Sequence, residues 1–164
     1  KGDKKFWPAK AEWVGYQSRG EDFAVFSTVS NESWETIPIG SEKQLSDGAA
    51  YFNFASPLGL GRQVQEGVIA SMDLDRPLIE NDINWSHCLV LQQAGVNGGS
   101  SGSPIVSKET HEIVATLVGS IGNSTIIAIP ISRFTAIEKA VSAGKYKYWK
   151  PEVGVNPDGT IDDK

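Results

Sequence analysis

Residues 92–106 read QQAGVNGGSSGSPIV, and the run Gly95–Pro104 within them is the most unusual stretch of this 164-residue sequence. Ser101 lies between Gly99 and Gly102, and an apolar segment follows. Glycines around a serine allow tight backbone geometry without a Cβ clash. A turn of this kind can direct two backbone N–H groups at one point, as an oxyanion hole requires. Taken alone, however, a Ser/Gly-rich segment between strands is typical of an ordinary turn.

The rest of the chain consists of short apolar or alternating runs broken by Gly, Pro, Ser and Asn. These runs predict strands at 6–16, 22–29, 49–55, 63–72, 86–93, 104–107, 112–121 and 124–131. Short strands at this spacing favour an all-β barrel or sandwich. Gly67 is expected to mark a bulge or bend in its strand. One helix is expected, with Ser132 as its N-cap and Gly144 as its C-terminal stop.

Four landmarks occur in a fixed order along the chain. They are the segment Asp22-Phe-Ala-Val, the turn Ser56-Pro-Leu-Gly-Leu-Gly, the run Gly95–Pro104, and Ala128-Ile-Pro before the helix. This order resembles the trypsin-like serine peptidases, most closely their HtrA branch, over about residues 9–141. Many trypsin-like enzymes, including viral ones, carry Ser-Gly-Ser-Pro at the nucleophile, and the viral trypsin-like polyprotein peptidases are a second resemblance. The likeness implies an all-β, chymotrypsin-like double β-barrel with a C-terminal helix.

The resemblance also implies how the chain is divided. Residues 1–48 would hold the C-terminal strands of the first barrel and the crossing between barrels, residues 49–143 the second barrel and the helix, and residues 144–164 a tail or linker. The first barrel is expected to be incomplete, because the strands that should precede residues 6–16 are not in this sequence. Half a barrel leaves open sheet edges, so the chain is expected to belong to something larger.

The resemblance assigns roles to individual residues. Ser101 matches the nucleophile, and the backbone N–H groups of Gly99 and Ser101 match the donors of the oxyanion hole. Asp22 matches the acid that orients the imidazole. Ser103 stands where a second glycine is common in the family. Considered without the resemblance, Asp22 is equally compatible with an acid that caps or borders an edge strand.

No histidine in the chain stands where this family's order places its base. A serine needs a base to take its proton, and the family's histidine precedes the acid, whereas no histidine precedes Asp22. His87, one strand before the nucleophile, and His111, in a polar surface turn, are interpreted as structural. Three explanations remain open: a histidine on a segment outside this sequence, which is favoured; a catalytically inactive module that binds or assembles; or a base supplied by another subunit.

A substrate pocket is implied beside the nucleophile. It would be lined by Gln93, Gly95, Thr116, Leu117, Val118 and Gly119. None of these is acidic, which disfavours a preference for Lys or Arg. Leu117 stands where viral 3C-like relatives place a histidine that recognises Gln or Glu, so that preference is disfavoured too. The expected substrate is a polypeptide with a small or medium apolar side chain at the cleaved bond.

Composition excludes several other classes. The net charge of −5 argues against binding nucleic acid through a basic surface. The single cysteine, Cys88, permits no internal disulfide, and with two separated histidines no metal or other cofactor is expected. No apolar run approaches the roughly 20 residues of a membrane span. The start Lys-Gly-Asp-Lys-Lys is not a signal peptide, and the compartment stays undetermined.

Overall fold

The computed structural model describes residues 8–15, 21–28, 30–74, 79–80, 83–122 and 124–145. Within these ranges the chain forms ten strands and one α-helix: β1 (Ala9–Val14), β2 (Ala24–Thr28), β3 (Ala50–Ala55), β4 (Gln63–Ser71), β5 (Ile79–Glu80), β6 (Ile83–Asn84), β7 (Leu89–Gln92), β8 (Pro104–Ser107), β9 (Ile113–Ile121), β10 (Thr125–Pro130) and α1 (Ile131–Ser142). Each of the eight predicted strand segments contains a strand, whereas the two-residue strands β5 and β6 carry too short a pattern to be predicted. Most of the predicted tail, 146–164, lies outside the described residues.

Six strands close into one antiparallel barrel. Around the barrel the order is β3, β4, β7, β10, β9 and β8, and β8 pairs again with β3. β1 and β2 form a separate two-stranded antiparallel ribbon, and β5 pairs with β6. The predicted all-β class with a C-terminal helix is therefore confirmed. Closure places the loop between β7 and β8, which contains Ser101, at the end of the barrel beside the loop after β3.

Both faces of β10 are buried, and they contribute to two different cores. Ile126 and Ala128 point into the barrel, whose interior they share with Tyr51, Ile69, Leu89, Leu91, Ile105, Val114, Ala115 and Leu117. Ile127 and Ile129 point outward and pack with Trp85 and Cys88, with Phe23 of the ribbon at the edge of this second cluster. An apolar run with no polar alternation is what a strand buried on both faces requires. The second cluster connects the ribbon to the barrel.

Gly67 is structural, but the predicted bulge at Gly67 is wrong. Gly67 pairs regularly with Tyr51 across β3 and β4, and the irregular pairing lies further on, between Ile69 and Ser71. A Cβ at Gly67 would lie 2.3 Å from the Tyr51 hydroxyl oxygen. The glycine is therefore needed because the fully buried Tyr51 ring crosses its position.

The helix begins and ends with backbone features that sequence reasoning identified only in part. The Ser132 side chain is not the cap, because the N-cap position is Pro130 and no side chain of the helix caps it. Instead, Oε2 of the buried Glu42 accepts a hydrogen bond from Ser132 N at 3.1 Å. Gly144 follows the C-cap with a φ of +66°, as a helix stop requires. In the part of the chain that the structure describes, no helix has the length and apolar character to cross a membrane.

Candidate active site

The loop that carries Ser101 consists of two consecutive turns that share Ser100. Ser100 N donates to Asn97 O at 3.0 Å, and Ser103 N donates to Ser100 O at 3.2 Å. The third residue of each turn is a glycine with positive φ: +95° at Gly99 and +82° at Gly102. A glycine of this conformation at the third position is characteristic of a type II turn. The positions of the two glycines therefore decide the path of the loop.

The amide groups of Gly99 and Ser101 are not used within the two turns. Among the residues that the structure describes, neither N–H has a protein acceptor, and the Ser101 side chain is exposed. Ser100 lies between them, is fully buried, and donates its own N–H within the first turn. Unused backbone donors beside an exposed serine hydroxyl can bind the oxygen of an attacked carbonyl group.

Two neighbouring segments hold this loop in place. On one side, Leu58 N donates to Gly98 O at 2.8 Å, and a Cβ at Gly99 would lie 2.6 Å from Ser56 O. On the other side, Gly102 N donates to Leu117 O at 2.7 Å and Leu117 N donates to Ser103 O at 3.0 Å. The loop is thus fixed by main-chain contacts with the segment after β3 and with β9.

Asp22 lies half-buried at the end of the ribbon, beside the same part of the loop. A cavity of about 320 Å³ is lined by both Asp22 and Gly102, the residue after Ser101. Thr116 also lines it, and its other walls are mostly apolar, formed by Phe23, Ala24, Ile39, Pro104, Ile113, Ile131 and Phe134. Apolar walls lower the local dielectric constant and so strengthen the interaction of a carboxylate with a neighbouring cation.

The other predicted pocket residues fall into separate environments. Gln93 is 4% exposed, and its Nε2 donates to Gln65 Oε1 at 2.7 Å, while Gln65 Nε2 donates to Gly95 O at 3.1 Å. Gly119 abuts the Trp85 ring, since a Cβ there would lie 2.9 Å from Cζ2.

Two further predicted pocket residues lie on β9. The Leu117 side chain is in the barrel core, so only its main chain faces the loop. Val118 packs against the cluster that contains Trp85. Of the predicted pocket residues, Thr116 alone is placed in the cavity with Asp22.

Both histidines lie away from this cavity. His87, with a φ of +53°, is exposed, and its Nδ1 lies 3.2 Å from Asp73 Oδ1. The pair borders a different pocket, next to Arg133. His111 is exposed in the turn between β8 and β9, and its N–H donates to Ser107 O. Neither imidazole lines the cavity that Asp22 and Gly102 share.

Burial disfavours ionisation of the Cys88 thiol. The side chain is fully buried, and this burial raises the pKa of the thiol, although the guanidinium of Arg133 opposes the shift. A protonated, buried thiol is a poor nucleophile and a poor metal ligand. Among the described residues, no group of three or more His, Cys, Asp or Glu side chains is arranged to hold a metal ion.

Sequence reasoning missed a buried polar residue that contacts the turn Ser100–Ser103. Asn53 is fully buried in β3, and its Nδ2 donates to Ser103 Oγ at 2.7 Å. The signal was present in the sequence, because Asn53 occupies an inward position of the alternating strand between Tyr51 and Ala55. A polar residue at a core position of such a pattern needs a partner or a function.

A comparison with known families agrees with this barrel, the helix after it and the glycine-rich serine loop. The model of the trypsin-like peptidase domain family matches residues 2–115, more than half of the chain, and the chain belongs to this family. No curated protein matches it.

Two solved structures of HtrA-type proteases share the fold. The chain is similar to the HtrA-type protease AlgW with decapeptide, with a TM-score of 0.67 and 18% identity over 82% of this chain and 41% of AlgW. For a substituted form of AlgW, also with decapeptide, the TM-score is 0.64 and the identity 18%, over 89% of this chain and 44% of that one. The chain thus spans less than half the length of either structure.

Proposed function

We propose that this chain carries the nucleophile, the oxyanion hole and the acid of a serine endopeptidase, and that its general base comes from a polypeptide segment outside these residues. The observation that carries the proposal is the pair of turns sharing Ser100, which leaves the N–H groups of Gly99 and Ser101 beside the exposed Ser101 hydroxyl. The central N–H groups of any β-turn lie outside its closing hydrogen bond. Here two such donors, on Gly99 and Ser101, belong to one short loop around the exposed Ser101 hydroxyl, and an acyl-transfer site needs donors at this place.

The proposed reaction is ordinary acyl transfer. Ser101 Oγ attacks the carbonyl carbon of the peptide bond while the base takes its proton, and the N–H groups of Gly99 and Ser101 bind the resulting oxyanion. The base then protonates the leaving amine as the C–N bond breaks, which leaves an ester on Ser101. Water, deprotonated by the same base, hydrolyses that ester and restores the hydroxyl.

Asp22 is proposed to orient the base from within the cavity it shares with Gly102. The cavity, about 320 Å³ in volume, has room for an imidazole, and its apolar walls favour an ion pair between Asp22 and the imidazolium that forms during attack. A segment that inserts a histidine here would complete the site. His87 and His111 are not proposed as the base, because neither lines this cavity.

The substrate is proposed to be a polypeptide with a small or medium apolar side chain at the cleaved bond. None of the residues expected to line its pocket is charged, and Leu117 contributes only its main chain because its side chain is in the barrel core. The two AlgW structures contain a decapeptide, and a peptide is the ligand we expect here too. We expect uncharged P1 residues to be preferred because a buried charge without a partner is costly.

Labelling with a fluorophosphonate probe tests the proposal in the natural protein that contains this sequence. We expect the probe to phosphonylate Ser101, identified by mass spectrometry of the modified peptide, and Ser101→Ala to abolish this labelling. Ser56→Ala is the matched control, because Ser56 is an exposed serine beside the same loop. Labelling that survives Ser101→Ala, or its complete absence from the unsubstituted protein, would contradict the proposal.

One observation favours a second function, that of a non-catalytic peptide-binding module. Both histidines of the chain lie away from the cavity that Asp22 and Gly102 line. A module of this kind would bind peptides with apolar side chains, and Ser101→Ala would leave that affinity unchanged. Peptide binding by a natural protein that does not react with the probe would favour this function.

A further inference from the structure

We propose that Asn53 and Ser103 are positioning residues for the nucleophile, and we call this pair the buried clamp. The clamp would fix the turn Ser100–Ser103 and thereby the orientation of the Ser101 hydroxyl and N–H. This inference rests on the proposed function, because it concerns the reactivity of Ser101.

Asn53 supplies the fixed end of the clamp. Its side chain is fully buried on the inner face of β3, where the amide nitrogen is bonded within the protein, whereas Oδ1 has no partner among the described residues. Nδ2 donates to Ser103 Oγ at 2.7 Å and to Pro104 O at 3.2 Å. Because a carbonyl oxygen can only accept, the atom that faces Pro104 O is the nitrogen of the amide.

Ser103 connects the fixed Asn53 side chain to the turn. While its Oγ accepts from Asn53, the same hydroxyl donates to Ser100 O at 2.6 Å, and Ser103 N donates to that carbonyl at 3.2 Å. Ser100 O is therefore held by two donors of a single residue. Ser103 is 7% exposed and Ser100 is fully buried, so water competes little for these bonds.

The two residues enclosed by this double contact are the ones that matter for the proposed chemistry. Ser101 and Gly102 are the central residues of the turn that Ser100 and Ser103 close. If the ends of the turn rotate, the Ser101 hydroxyl and its N–H move together. A misplacement of about 1 Å at a reacting atom can slow a reaction about 100-fold. A glycine at position 103 would supply only its N–H, and the clamp would be lost.

Three substitutions and one matched control test the clamp in the natural protein. Ser103→Ala removes the hydroxyl, Asn53→Leu removes the donor with little change in shape, and Ser103→Thr keeps a hydroxyl. The control is Ser107→Ala: Ser107 is, like Ser103, a buried serine, but it lies at the far end of β8, where its hydroxyl accepts from Glu109 N and Thr110 N. Inactivation by the fluorophosphonate probe gives kinact and KI for each variant.

We expect Ser103→Ala and Asn53→Leu each to lower kinact about 10- to 100-fold, with KI changed less than about twofold. Since both residues act through one contact, the double variant should be no slower than the slower single variant. Ser103→Thr should recover most of the rate. Ser107→Ala should lower the thermal midpoint of unfolding about as much as Ser103→Ala does, while leaving kinact unchanged.

Different results would overturn the two proposals separately. Three results would overturn the clamp alone. They are a wild-type kinact in Ser103→Ala and Asn53→Leu, additive losses of kinact in the double variant, or an equal loss of kinact in Ser107→Ala. If Ser101 of the unsubstituted protein does not react with the probe, both the proposed function and the role of the clamp in it are wrong.

Discussion

Gly98 and Gly99 are neighbours in the sequence, but their surroundings differ completely. Gly99 has a φ of +95° and would place a Cβ 2.6 Å from Ser56 O, whereas Gly98 has no heavy atom within 4 Å of the corresponding position. The same residue type is thus required at one position and is only permitted at the other. The difference lies in the contact with the segment after β3, which the local sequence does not contain.

The first prediction concerns this pair of glycines. Gly99→Ala should lower the free energy of unfolding by roughly 1–3 kcal/mol, because it adds a clash to a left-handed conformation. It should also slow phosphonylation of Ser101, since the Gly99 N–H is displaced from the oxyanion hole. Gly98→Ala should change stability by less than about 0.5 kcal/mol. Denaturant unfolding and probe labelling measure both effects, and equal behaviour of the two variants would contradict the prediction.

At the scale of elements, α1 depends on a residue far from it in sequence. The first N–H groups of a helix have no partner within the helix, and here Ser132 N finds the carboxylate of Glu42, in the segment that leads into the barrel. A carboxylate at this end is also favoured by the helix dipole. Glu42 therefore attaches this segment to the helix and does for α1 what Ser132 was expected to do.

The second prediction follows from this contact. Glu42→Ala should lower the free energy of unfolding by roughly 1–2 kcal/mol, because a partly buried N–H at the helix start loses its acceptor. Glu42→Gln keeps an acceptor oxygen and should cost less. Glu109→Ala, in the exposed turn after β8, is the control and should be close to neutral. Thermal unfolding of the three variants checks this order of stabilities. Equal stabilities of Glu42→Ala and Glu109→Ala would contradict the prediction.

At the scale of the whole molecule, burial of Tyr51 couples barrel stability to alkaline pH. The ring is fully buried against Gly67, and desolvation raises the pKa of its hydroxyl above the ordinary value of about 10. The folded protein therefore keeps this proton in a range where the unfolded chain loses it. The free energy of unfolding is therefore unaffected by ionisation of Tyr51 below about pH 10, and it falls as the pH rises further.

The third prediction tests this coupling. Between about pH 10 and 12, the free energy of unfolding should fall more steeply in the wild type than in Tyr51→Phe, by up to ~1.4 kcal/mol per pH unit. At neutral pH the substitution should cost little, because the hydroxyl lies 3.5 Å from its only acceptor in the described residues, Gln92 O. Cys88, whose pKa is also raised, contributes in both proteins. Denaturant unfolding at several pH values gives the slopes, and equal slopes would contradict the prediction.

The amino-acid sequence alone determined the all-β class, because strands follow from local patterns, and it supplied the glycines that permit the tight turns of the serine loop. Alternating and apolar runs produced the strands, and glycines at positions 99 and 102 allowed the positive φ angles of the two turns. The order of the four landmarks along the chain indicated the trypsin-like peptidase family, which the family match to residues 2–115 confirms.

Only the tertiary structure decided which distant residues meet. Barrel closure brings Asn53 of β3 against Ser103, 50 positions away, and it places Asp22 and Gly102 on one cavity. These contacts depend on strand register and on the packing of the ribbon against the barrel, and no local pattern encodes either. A polar residue at an inward position showed that Asn53 needed a partner, but the identity of that partner followed from closure of the barrel.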